Sequence, residues 1–182
     1  MQTPEALRLS HTIRQNVENF KTLCDGLDEE TASLAPPGRW SPKEIVSHLC
    51  GPDGIGHMPM FQVIVTEDTP RLDIDAENPF FSDRRSRLSL KELLAEFAAE
   101  YERIAEFASG LSGEQLGRKA HIPLLRESPF GEYPTLAVWI EVIGDHHLSM
   151  HIDHLRQIMQ SLGIAAGIGR PEIREVPEEL RP

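Results

Sequence analysis

The segment Asp145-His146-His147-Leu148-Ser149-Met150-His151-Ile152-Asp153-His154 gathers half of the chain's eight histidines into ten residues. Imidazole titrates near neutral pH and is the commonest nitrogen ligand for a transition metal. At about 100° per residue on a helix, His147, His151 and His154 fall within an arc of roughly 60°. Leu136, Ile140, Ile143, Ile158 and Leu162 share that arc, which is therefore the buried stripe. His146 lies about 100° from His147 and is expected to face solvent or a loop.

Adjacent imidazoles on a buried stripe must each find a hydrogen-bond partner or lose solvation. A metal ion removes the difficulty by accepting one lone pair from each ring. Histidines at i and i+4 are spaced to share one ion, as in HExxH sites, although the matching glutamate is absent here. A third protein ligand is needed, and a facing helix is its natural source. His48 is the candidate, one turn after Ile45 on the stripe of an earlier helix. The expected ligand set is therefore His48, His147 and His151. His154 stays open between ligand, donor to a ligand and rim residue. His11, His57 and His121 are isolated in sequence and read as surface or loop residues.

Three neutral imidazoles leave a divalent ion with its full charge and open positions. Water bound there has its pKa lowered to about 7, and a thiol bound there is held as thiolate. Either chemistry implies a small-molecule substrate. Asp53, Glu141, Asp145 and Asp153 lie close in sequence and are candidate bases or acceptors, set against the commoner role of a solvated carboxylate. A rival reading is a non-catalytic bundle that binds a ligand or a partner. In a third, the histidines only complete a dimer interface.

The elements that must position these residues are marked by helix signals. Thr3-Pro4 is an N-cap followed by a first-turn proline, opening a helix that runs to about Leu27. Ser41-Pro42-Lys43-Glu44 opens a second with a capping box, and Gly51-Pro52-Asp53-Gly54 should kink or interrupt it. Whether helix resumes through residues 61–65 is left open by the pattern. Ser89-Leu90-Lys91-Glu92 caps a third helix ending at Gly110, and Ser112 to Leu116 reads as one extra turn. Thr135 caps a fourth, ending near Gly163. No alternation of the strand kind is present. The expectation is an all-α four-helix bundle over residues 1–163, with long connections after helices two and three, and a C-terminal tail over 164–182.

Composition narrows the function classes. The 182 residues are 40% hydrophobic, with 29 acidic and 18 basic side chains and a net charge of −11. Such a chain repels nucleic acid and anionic membranes on average. The only dense basic run, Arg84, Arg85 and Arg87, is too short for a nucleic-acid footprint. The N-terminal residues lack a signal-peptide pattern, and no apolar run approaches the roughly 20 residues of a membrane span. Cys24 and Cys50 form no CxxC and are expected in apolar packing within a reduced cytoplasm.

Several stretches together resemble the DinB/YfiT-like superfamily. Trp40-Ser41-Pro42-Lys43-Glu44-Ile45-Val46-Ser47-His48-Leu49 is similar to the start of its second helix, and Ser89-Leu90-Lys91-Glu92-Leu93-Leu94-Ala95-Glu96 to its third. Phe130-Gly131, Thr135-Leu136 and the histidine segment ending at Gln157-Ile158 are similar to its fourth. The resemblance implies a four-helix bundle with up-down-down-up connectivity, often dimeric. It also implies one divalent ion, nickel, zinc or iron, held by one histidine of helix two and two of helix four. His48 matches the helix-two position. On helix four, counting from Trp139 gives His147 and His151, whereas counting back from Gln157 gives Met150 and His154. Methionine is a poor ligand for such ions, which favours the first pair. Relatives include transferases of low-molecular-weight thiols and hydrolase-like proteins, so a homodimer with a thiol co-substrate belongs to the expectation.

Overall fold

A computed structural model describes residues 3–164. The expected tail lies outside the described residues, apart from Ile164. The helices are α1 (Pro4–Cys24), α2 (Glu29–Ala32), α3 (Pro42–Leu49), α4 (Met58–Thr66), α5 (Asp83–Ser86), α6 (Leu90–Gly110), α7 (Gly113–Leu116), α8 (Leu136–Glu141) and α9 (Leu148–Ser161). A π-helical stretch, Val142–His147, joins α8 to α9 in one continuous rod. Among the described residues there is no strand, only the isolated bridge pairs Arg71–His121 and Lys119–Thr135.

The long helices begin where the local chemistry dictates. Thr3, Ser41, Ser89 and Thr135 each accept a backbone N–H of the first turn, and Glu44 and Glu92 close the two capping boxes. Pro4 and Pro42 sit where a missing N–H costs nothing. Helix α3 stops at Leu49, and Gly51 follows with a φ of 72°. Helix then resumes as α4, answering the point the sequence left open. Its N-cap, His57, makes no side-chain cap. The carboxylate of Glu100, 2% exposed on α6, accepts the backbone N–H groups of His57 and Met58 instead, a favourable place for negative charge.

The broadest packing is α1 on α6, where Leu9, Ile13, Val17 and Phe20 meet Leu93, Phe97, Tyr101 and Ile104. Phe20 and Phe97 pack with ring centroids 5.1 Å apart, and Phe97 and Tyr101 at 4.9 Å. Each such side chain contributes about 1.5–3 kcal/mol by leaving water. Around the bundle, the main neighbours of α1 are α6 and the α8–α9 rod, and those of α3 are α6 and α9. The first and second long helices are thus set diagonally, with the third and fourth between them.

The connection between α3 and α6 carries α4, which the sequence pattern leaves open, and the short α5, which it does not mark. It also pairs with the connection before α8. His121 N–H donates to Pro70 O, and Leu72 N–H donates to His121 O, each at 2.9 Å. The two long connections thereby hold each other over one side of the bundle. Arg84 and Arg85, part of the basic run, are used internally. Arg84 pairs with Asp53 and Glu96, and buried Arg85 donates to the carbonyls of Ser47, Gly51 and Phe80.

Candidate metal centre

The structure brings His48, His147 and His151 together. The capping box that starts α3 sets His48 in the second turn, on the face that packs against α6 and α9. His147 closes the π-helical stretch, and His151 stands one turn later on α9. The Nε2 atoms of His48 and His147 are 2.9 Å apart, and those of His147 and His151 are 3.1 Å apart.

The tautomer of His48 follows from its other nitrogen. Nδ1 lies 2.7 Å from the carbonyl oxygen of Asn78, which can only accept, so Nδ1 carries the proton and Nε2 presents a lone pair. Burial lowers the pKa of all three rings, and for His151 the result is about 3. The rings are therefore neutral at pH 7, each with one nitrogen free of a proton, and their Nε2 atoms crowd toward one point. A single proton on His147 Nε2 is the most the cluster can use for its own bonding. The Nδ1 atoms of His147 and His151 remain buried without a partner. This donor set fits a divalent ion, since imidazole nitrogens at about 2.0–2.1 Å from a shared centre and at right angles lie about 3 Å apart.

Aromatic rings close the surroundings. Phe80 stacks on His48 with centroids 6.0 Å apart and planes 9° apart, and Trp40 lies parallel to His151 at 6.3 Å. Phe80 has a φ of 49°, a left-handed conformation that costs about 1–3 kcal/mol for such a residue. Its N–H donates to Asn78 Oδ1 at 2.8 Å, and its carbonyl accepts from Ser47 Oγ at 2.9 Å. The strained turn is thus braced within itself by Asn78 and tied to α3 through the carbonyls of Phe80 and Asn78, which holds Asn78 over His48.

On the side of His48 and His147 lies a cavity of about 410 Å³, walled by α4, the two long connections and the α8–α9 rod. That volume is within the range of about 300–1,000 Å³ that encloses one small molecule.

Residues 12–158 match the DinB superfamily. The chain belongs to the DinB superfamily. Its fold is similar to that of YfiT from Bacillus subtilis, described as a probable metal-dependent hydrolase with an unusual four-helix bundle topology. The TM-score is 0.70 at 18% identity, over 91% of this chain and 92% of that one. No curated protein matches the chain significantly.

Other residues of this DinB-superfamily chain take quieter places. His154 is half-buried, with its ring 5.9 Å from that of His151, and contributes no nitrogen to the cluster. Met150, of the rival pairing, is 56% exposed. His146 is exposed against Phe130, and His121 bonds Glu132 in its loop. Asp53 is engaged by Arg84 and Ser82, which hold its pKa at about 2. Glu141 pairs with Arg8, Asp145 accepts from Asn16, and Asp153 pairs with Arg156. None of these four carboxylates contacts the cluster. Cys24 and Cys50 are buried as expected, and burial pushes both thiols up to about 12.

His57 departs from its sequence reading as a surface or loop residue. It sits in the turn before α4 but is 8% exposed and lines the same cavity as His48 and His147. Its Nε2–H donates to Leu49 O at 3.0 Å, and burial lowers its pKa to about 4. Nothing local in the sequence marks this burial, because the residues that cover His57 come from α3 and α6. Asn78, Phe80 and Arg85 were likewise missed; their only signal is the density of turn-forming residues around Pro79.

Proposed function

We propose that this chain is a metal-dependent enzyme acting on a small molecule, with His48, His147 and His151 holding one divalent ion through Nε2. The observation that carries the reading is the convergence of three Nε2 atoms, 2.9 and 3.1 Å between neighbours, at the wall of a cavity. A divalent ion bound there supplies Lewis acidity, lowering the pKa of a water or thiol in contact with it toward neutrality.

The residues themselves have three tasks. Burial keeps the rings neutral and able to donate lone pairs. The Asn78 carbonyl fixes the tautomer of His48, as outer partners of ligating histidines generally do. Trp40 and Phe80 cover two sides of the cluster, leaving the cavity as the approach for substrate. Hydrolysis is the reaction favoured, supported by the fold shared with YfiT, itself a probable metal-dependent hydrolase. The family resemblance also supports transfer of a low-molecular-weight thiol, and a homodimeric state that sedimentation would test.

Elemental analysis tests the centre, on protein purified without a metal-chelating column and beside a His48→Ala, His147→Ala double variant. About one nickel, zinc or iron per chain is expected, and none in the variant. Metal retained by the variant would mean that other residues bind it. No metal, even after each ion is added back, would sink the enzyme reading.

A further inference from the structure

We infer that the cavity beside His48 and His147 takes an uncharged molecule with one polar end and an apolar body, and that its walls, away from the histidines, disfavour an ionic one. Calling that molecule the substrate rests on the metal reading above; the chemistry of the cavity does not.

The walls carry the argument. Met60 of α4, Leu72 and Ile74 of the first long connection, Leu125 of the second, and Trp139 and Val142 of the last rod face the space. Such a surface favours aliphatic or aromatic groups by removing both sides from water. The charged groups at the lining offer no place for an anion. Arg71 is the only Arg or Lys among them, and its Nε donates to Asp73 at 3.0 and 3.2 Å. Asp75 accepts from Asn78 Nδ2 at 2.9 Å. Apart from the histidines, the charged side chains of the lining are one positive, Arg71, and two negative, Asp73 and Asp75.

A carboxylate lying along these walls, away from the histidines, would lose its hydration with no free cation to replace it, and would meet Asp73 and Asp75. A tripeptide thiol such as glutathione brings two carboxylates and an ammonium, all needing partners. A neutral ester, amide or alcohol brings one polar group, and the histidine cluster is where that group finds polar neighbours. The volume of about 410 Å³ holds one such molecule. Within the proposed enzyme this favours a substrate with an apolar body.

The test uses the full chain, as purified and after chelator treatment, titrated with the neutral fluorophore N-phenyl-1-naphthylamine. Saturable binding of one probe per chain is expected in both samples. Met60→Trp, which fills the cavity, and Ile74→Asp, which charges its wall, should each weaken it at least tenfold, with circular dichroism verifying that both variants fold. In the chelator-treated protein, 1-octanol should displace the probe at a concentration at least tenfold lower than octanoate or glutathione. No saturable binding, indifference to both variants, or equal displacement by glutathione would overturn the inference. Metal content of the same samples separates the two readings. A chain that binds the probe this way but holds no metal would end the metal reading and leave the cavity assignment standing. A metal-loaded chain that fails the probe test would do the reverse.

Discussion

A single carbonyl decides what His48 can do. Asn78 O takes the Nδ1 proton, so the lone pair on Nε2 is permanently turned toward His147 and His151. The ring types and the i, i+4 spacing of the last two were legible in the sequence, because a regular helix puts them on one face. Asn78 was not, since a backbone carbonyl acting through a tertiary contact has no residue signature. His57 shows the same limit, and it carries a pH prediction. Burial holds its folded-state pKa at about 4, below the unfolded value near 6.5. The unfolded chain therefore takes up this proton first as pH falls. Stability present above pH 6.5 is lost on the way down to about 4, by on the order of 3 kcal/mol. Urea unfolding at pH 7 and pH 4.5 should show the wild type losing more stability across that window than His57→Gln. Equal losses would mean that His57 is not the group responsible.

At the scale of elements, the caps made the helix starts readable, and Ser41–Glu44 and Ser89–Glu92 form as their spacing requires. Helix α4 was left unsettled because its cap is remote: the Glu100 carboxylate comes from α6, 43 residues along the chain. The π-helical stretch was also invisible. Regular α geometry was assumed from Leu136 onward, whereas Val142–His147 takes in wider turns just before the cluster. That stretch lies against α1, and Gly144 is what allows the approach, since a Cβ there would collide with the side chain of Ile13. Gly144→Ala should accordingly cost about 1–3 kcal/mol of stability. For a chain of this size that is a fall in Tm of about 2–4 °C per kcal/mol, readable by calorimetry. An unchanged Tm would show that the rod can move away from α1 without penalty.

For the whole molecule, the four-helix bundle followed from the number and length of the apolar stripes. The diagonal placement of α1 and α3 did not, because periodicity says which face is buried and nothing about which helix covers it. That placement lets α9 lie beside α3 and closes the cluster between segments otherwise joined only through long connections. An ion shared by His48, His147 and His151 would clamp those segments. Zinc or nickel at 100 times its dissociation constant should therefore stabilise the protein by about 2.7 kcal/mol. Thermal unfolding with and without added ion should show this rise, and the His48→Ala, His147→Ala variant should not. A rise of the same size in the variant would place the ion elsewhere.

The 99 residues separating His48 from His147 also impose an order in time. During synthesis the first ring emerges long before its partners exist, and the histidine next to it in sequence, His57, is no part of the cluster. A compact zinc module can fold around its metal because its ligands are close in sequence. Here a loop of that length must be closed first, at an entropic cost that no early contact at the cluster repays. The last helix must be delivered by the ribosome before the three rings can meet. Loading of any ion by all three rings is therefore a late event in the life of the chain, after nearly the whole of the bundle has been synthesised.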